Sequence, residues 1–131
     1  MSRHAIHALD APAAVGPYAH AVRSGDLLYL SGQTPIDPAS GNLDPGDVAA
    51  QTARVFDNLA AVLSAAGLKL DDVVKVNVYL TDMAHFAAMN TIYGQTFAEP
   101  YPARTTVAVA ALPLGAQVEI EAIAEFGATH H

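Results

Sequence analysis

Arg104 is the only Lys or Arg between Lys75 and the C-terminus, and it stands at the start of a strand-like run rich in Ala and Val, ARTTVAVA. Its guanidinium presents a rigid fork of donors that matches a carboxylate with two parallel hydrogen bonds. Two partners fit by spacing: a protein acid, Glu119 or Glu121, or the carboxylate of a small ligand. Glu119 lies between Val118 and Ile120. A carboxylate in so apolar a strand is either half-desolvated, with a pKa raised toward the range of a general base, or part of a wet sheet face. For Glu121 and Glu125 the wet face is the preferred reading.

Other catalytic sets are missing. The chain has no Cys, which excludes a disulfide framework, a thiolate nucleophile and a Cys-type zinc site. His4 and His7 point to opposite faces of a strand, and His20 and His85 stand alone, so no metal-ligand spacing appears. Ser31, in Leu-Ser-Gly-Gln, lacks the Gly-x-Ser-x-Gly setting of a nucleophile elbow. Gly16, Gly25, Gly32, Gly41 and Gly46 form no dinucleotide or phosphate-loop fingerprint. Asn90 falls near the apolar stripe of a helix, where a buried amide must find partners.

Alternating patterns supply the elements that must hold these residues. Residues 5–9 and 19–23 read as strands, and Ser24-Gly25-Asp26 reads as a tight turn into a third strand over 27–33. A turn-rich loop, TPIDPASGNLDPGD, follows. From Asp47, placed to cap, the period becomes helical, with Val48, Thr52, Val55, Phe56, Leu59, Val62 and Leu63 on one stripe and Gly67 as a left-handed stop. Residues 73–81 alternate with Val74, Val76, Val78 and Leu80 toward the core. Asp82 is placed to cap a second helix carrying Phe86, Met89, Asn90, Tyr93 and Phe97 and ending before Pro100. Strands over 103–110 and 117–126 complete the order βββαβαββ. This order predicts one α+β domain over residues 1–131: a mixed sheet of about six strands with two helices on one face. Residues 128–131, ending in His130 and His131, read as a tail. On the last strand Val118, Ile120, Ala122 and Ala124 face the helices. The other face, with Leu27, Tyr29, Val107, Val109 and Ile123, is more apolar than solvent-facing strands usually are, which points to neighbouring subunits.

The 131 residues carry 13 acids against 6 Lys and Arg, a formal charge of −7 that opposes nucleic-acid binding. No stretch is long and apolar enough to span a membrane, and MSRHAIHALD offers no signal-peptide core, so a cytoplasmic location is expected.

Several fragments taken together resemble one family. They are Ala14-Val15-Gly16-Pro17-Tyr18, Leu30-Ser31-Gly32-Gln33, Asn90 with Tyr93, Pro102-Ala103-Arg104-Thr105-Thr106-Val107, Leu112-Pro113, and Val118-Glu119-Ile120-Glu121-Ala122-Ile123-Ala124. In this order and spacing they resemble the Rid (reactive intermediate deaminase) family, closest to its RidA subgroup, over nearly the whole chain. The resemblance implies a chorismate-mutase-like fold assembled as a homotrimer, with a central barrel and pockets at the subunit interfaces. It implies hydrolysis of enamines and imines such as 2-aminoacrylate and 2-iminopropanoate to 2-keto acids and ammonia, without cofactor or metal. Arg104 would clamp the substrate carboxylate, and Glu119 would orient or activate water. Tyr18, Ser31 and Asn90 would shape the pocket, and Gly32 would let backbone approach closely. Thr106 stands where many RidA proteins carry Cys, which changes the polarity of the pocket. The expected partners are a small imino or keto acid and two further copies of the chain, with no nucleic acid or membrane. The competing readings are a non-catalytic 2-keto-acid binding module, a deaminase for a larger imine, and an RNA-cleaving or chaperone-like role.

Overall fold

A computed structural model describes residues 3–127; the tail expected at 128–131 lies outside the described residues. Six strands and two helices run in the expected order: β1 (His4–Ile6), β2 (Ala21–Ser24), β3 (Leu27–Gln33), α1 (Val48–Ala65), β4 (Val73–Leu80), α2 (Phe86–Thr96), β5 (Ala103–Ala108) and β6 (Val118–Glu125). They form one mixed sheet in the order β1-β2-β3-β6-β4-β5. Only β4 and β5 pair in parallel, joined by α2, because a parallel pair needs a crossover where an antiparallel pair needs only a turn. The fold is therefore α+β, and no helix among the described residues is long and apolar enough to cross a membrane.

The elements form where local chemistry and burial agree. Gly25 takes φ 61° in the two-residue turn between β2 and β3. Asp47 caps α1 by accepting from the Ala50 N–H at 2.9 Å. The whole predicted stripe of α1 is buried. At its end Gly67 adopts φ 78°, and the Gly67 and Leu68 N–H groups close back on the Ser64 and Leu63 carbonyls, a Schellman stop. On β6, Val118, Ile120, Ala122 and Ala124 are buried beneath the helix layer, while the alternate residues stand half-buried on the other face.

Several features depart from the periodicity, among them the start of β2, which lies at Ala21 rather than residue 19. The first strand ends at Ile6 rather than residue 9, because the Ala8 N–H turns away to donate to His20 Nδ1. In β4 a register shift between Val73 and Lys75 turns Val73 into the core and leaves Val74, expected inside, 40% exposed. A bulge of this kind is invisible to strict alternation. Asp82 caps a single tight turn over Met83–His85, accepting from the Ala84 N–H, and α2 proper begins only at Phe86. The strand expected over 103–110 is regular only to Ala108, although the Val109 N–H still donates to the Leu80 carbonyl.

Two buried amides on α1 hold the long loop before it. Asn58 Nδ2 donates to the Thr34 and Ile36 carbonyls, and Gln51 bridges the Asp44 carbonyl and the Gln117 N–H. Both side chains are buried.

Candidate active site

Arg104 is aimed by strand register. It is aligned with Val76 of β4, a core residue, so its side chain rises on the helix side of the sheet beneath α2. There Nη1 donates to Asn90 Oδ1 at 2.7 Å. The guanidinium carbon lies 4.5 Å from the centroid of the Tyr93 ring and 5.5 Å from that of Phe86. Phe86, Asn90 and Tyr93 are spaced four and three apart, so one face of α2 supplies all three contacts. Ring faces attract cations, and two rings with one amide fix where the fork points.

Neither Glu119 nor Glu121 pairs with this arginine. Among the described residues the only ion pair is Arg54 with Asp57 at 4.0 Å, so the structural ion pair that spacing allowed is not formed. Arg104 instead lines a cavity of about 430 Å³ with Asn90, Tyr93, Gly94, Tyr101 and Pro102. The buried Tyr93 hydroxyl has no hydrogen-bond partner. Burial raises its pKa, and the positive Arg104 partly offsets the rise. Thr106 follows on the same side of β5, opposite Val78, with a buried and unpartnered Oγ1.

Glu119 stands on the opposite side of the sheet. Its neighbours Val118 and Ile120 enter the core, so it emerges on the open face beside Tyr79. Burial raises its pKa first, and the negative Glu121 adds to the rise. Glu121 itself accepts from Asn77 Nδ2 at 3.0 Å. A Cβ built at Gly32 would run into Glu119 Oε2. The bare backbone at Gly32 thus makes the room this carboxylate occupies. Beside it, Ser31 Oγ donates to the Ala19 carbonyl at 2.7 Å and the Ser31 N–H donates to the His20 carbonyl. These two bonds clip the loop bearing the exposed Tyr18 alongside Ser31 and Gly32.

The site residues read from sequence therefore form two groups. Arg104, Asn90 and Thr106 belong to the helix side of β5. Glu119, Gly32 and Ser31 gather around the start of β6 and the end of β3, with Tyr18 on the adjoining loop. One chain does not bring the arginine and the glutamate together.

Tyr93, Gly94, Tyr101 and Pro102, which sequence reasoning does not assign to the site, also line the cavity. Tyr93 was visible as a member of the helix stripe and is also the platform under the arginine. Tyr101 and Pro102 immediately precede the arginine strand. His20 is a structural residue: Nδ1 accepts from Ala8 N–H, which leaves Nε2 as the donor to the Pro12 carbonyl at 2.7 Å.

A protein-family model described as Endoribonuclease L-PSP matches residues 8–126. Protein DfrA of Myxococcus xanthus is 51% identical over 126 residues, covering 95% of this chain and 96% of that one. The 2-iminobutanoate/2-iminopropanoate deaminase of Capra hircus is 46% identical over 125 residues, covering 95% and 91%. The crystal structure of RidA from an Antarctic Psychrobacter is 48% identical and matches with a TM-score of 0.91, over 95% of this chain and 100% of that one. Likeness of this extent in sequence and in fold leaves one conclusion, that the chain belongs to the Rid family.

Proposed function

We propose that this protein hydrolyses reactive 2-imino acids and their enamine tautomers, such as 2-iminopropanoate and 2-aminoacrylate, to 2-keto acids and ammonia. One observation carries the reading: a guanidinium fixed by an amide and two rings, with no carboxylate partner among the described residues, faces a cavity large enough for a small acid. Arg104 binds the substrate carboxylate and so places the imine carbon. Water adds to that carbon, the nitrogen takes up protons, and the carbon–nitrogen bond breaks to release ammonia. The imine carbon is already electrophilic, so orientation and one well-placed base supply most of what the step needs. Glu119, with its raised pKa, is that base. The named activity of the goat relative is consistent with this chemistry.

Because Arg104 and Glu119 sit on opposite sides of one sheet, a complete site takes the arginine group from one chain and the glutamate group from the next. The open face offers a surface for such contact, with Tyr29 46% and Val107 41% exposed. A homotrimer with pockets between subunits meets this need. No cofactor or metal enters the scheme, and the cytoplasm is its proposed setting. Against RNA cleavage, which the family description suggests, stands the charge of −7.

The test is a coupled assay in which a threonine or serine dehydratase generates the imine and semicarbazide competes for it. Wild-type protein should accelerate keto-acid release and Arg104→Ala should not. Calorimetric binding of 2-ketobutyrate with no acceleration by wild type would replace catalysis with carboxylate sensing.

A further inference from the structure

Gly94 lies in the last turn of α2 and lines the same cavity as Arg104. Glycine inside a helix is unfavourable relative to alanine, so a helical glycine usually answers a need. The two ordinary needs are absent within this chain. Gly94 is not among the residues with positive φ, and a Cβ built on it meets nothing within 4 Å. What its missing side chain does is leave open the wall of the cavity next to Tyr93, one residue away in sequence.

The remaining lining residues are Tyr93, Tyr101 and Pro102, while the polar groups Arg104 and Asn90 lie together. A carboxylate bound at Arg104 therefore has a polar anchor and an apolar, partly aromatic surround. In a single chain, before any neighbour closes over it, this cavity of about 430 Å³ has room beyond a three- or four-carbon acid.

Resting on the deaminase reading above, we infer that Gly94 is a specificity-determining residue: it opens the site to 2-imino acids with bulky apolar or aromatic side chains. The side chain lies against Tyr101, Pro102 and the bare Gly94 backbone while the carboxylate stays on Arg104. The chemistry is unchanged. Water adds to the carbon–nitrogen double bond, and the bulky 2-keto acid and ammonia leave.

The experiment compares wild type, Gly94→Ala and Gly94→Leu on two imines generated in place by an L-amino-acid oxidase with catalase, from alanine and from phenylalanine. Gly94→Leu should lower kcat/KM for the phenylalanine-derived imine at least tenfold and leave that for the alanine-derived imine within twofold, with Gly94→Ala between. Calorimetry with the product acids supplies a readout independent of turnover: Gly94→Leu should weaken phenylpyruvate and spare pyruvate. Gly94→Ala should melt no lower than wild type, since no backbone strain or internal close contact requires glycine.

An equal fall for both substrates, or no change for either, would overturn the assignment. So would loss of assembly in Gly94→Leu by light scattering, which would show that a neighbouring chain approaches this glycine. If wild type accelerates neither imine, the deaminase reading fails, and the two product acids still decide whether Gly94 sets the size of the ligand.

Discussion

At the residue scale the guanidinium of Arg104 is held by one amide and two rings and faces a cavity. Asn90 takes one donor, the Tyr93 and Phe86 rings hold the plane, and among the described residues no carboxylate competes. Hydrogen bonds to a charged group are worth about 1.5–3 kcal/mol each. Arg104→Ala should therefore lower kcat/KM by roughly 100-fold or more, and Arg104→Lys, a point charge without the fork, should recover little of it. Steady-state kinetics on 2-iminopropanoate read this directly, and near-normal rates in both variants would remove the clamp from the mechanism. Glu119 carries a pH signature. Its pKa is raised above the ordinary 4.5. The acid limb of kcat/KM should therefore lie above the usual carboxylate range and vanish in Glu119→Gln. The sign for stability follows from the same shift. Folding favours the protonated form, so its contribution is complete below the unfolded pKa and is lost as pH rises through the folded one. Glu119→Gln should then melt higher than wild type near neutral pH and equal to it below the ordinary carboxylate range; the reverse ordering would mean the ionised carboxylate has a favourable partner. Residue types made Arg104 and Glu119 legible as candidates. The partner of Arg104 was not legible, because it is set by strand register and by a helix face rather than by spacing.

At the scale of elements, the sheet and α1 are held by apolar alternation that sequence displays openly, whereas the loops are held by buried amides that it conceals. The α1 stripe, its Asp47 cap and its Gly67 stop could all be read in advance because each is a local pattern. The roles of Asn58, Gln51 and His20 could not, because their partners are backbone groups of distant loops. The turn of Val74 outward was equally hidden, since one extra residue in β4 shifts the alternation without leaving a compositional mark. Asn58→Ala would leave the Thr34 and Ile36 carbonyls without their donor, so it should cost about 2 kcal/mol, within the range for unsatisfied buried groups. Asp47→Ala, which removes only a helix cap, should cost about 1 kcal/mol. Denaturant titration ranks the two, and an Asn58→Ala protein as stable as wild type would show that the loop is held by other contacts.

At the scale of the whole molecule, the two halves of the proposed site lie on opposite sides of one sheet, and the open face keeps apolar residues beside Glu119 and Glu121. Both features call for further copies of the chain. A trimer of 13.6 kDa subunits should appear at about 41 kDa in light scattering. The need for a cover on the open face was legible in the last strand, where Ile123 alternates with glutamates. That Arg104 and Glu119 of one chain lie on opposite sides of the sheet emerged only from register. Subunit mixing tests this sharing most directly. Arg104→Ala and Glu119→Ala proteins, each inactive and assembled alone, are unfolded together and refolded at equal concentration. In a cyclic trimer each mixed assembly regains one interface with both native residues, so about a quarter of wild-type activity should return. Mixed trimers that form but stay inactive would contradict a site built from two chains.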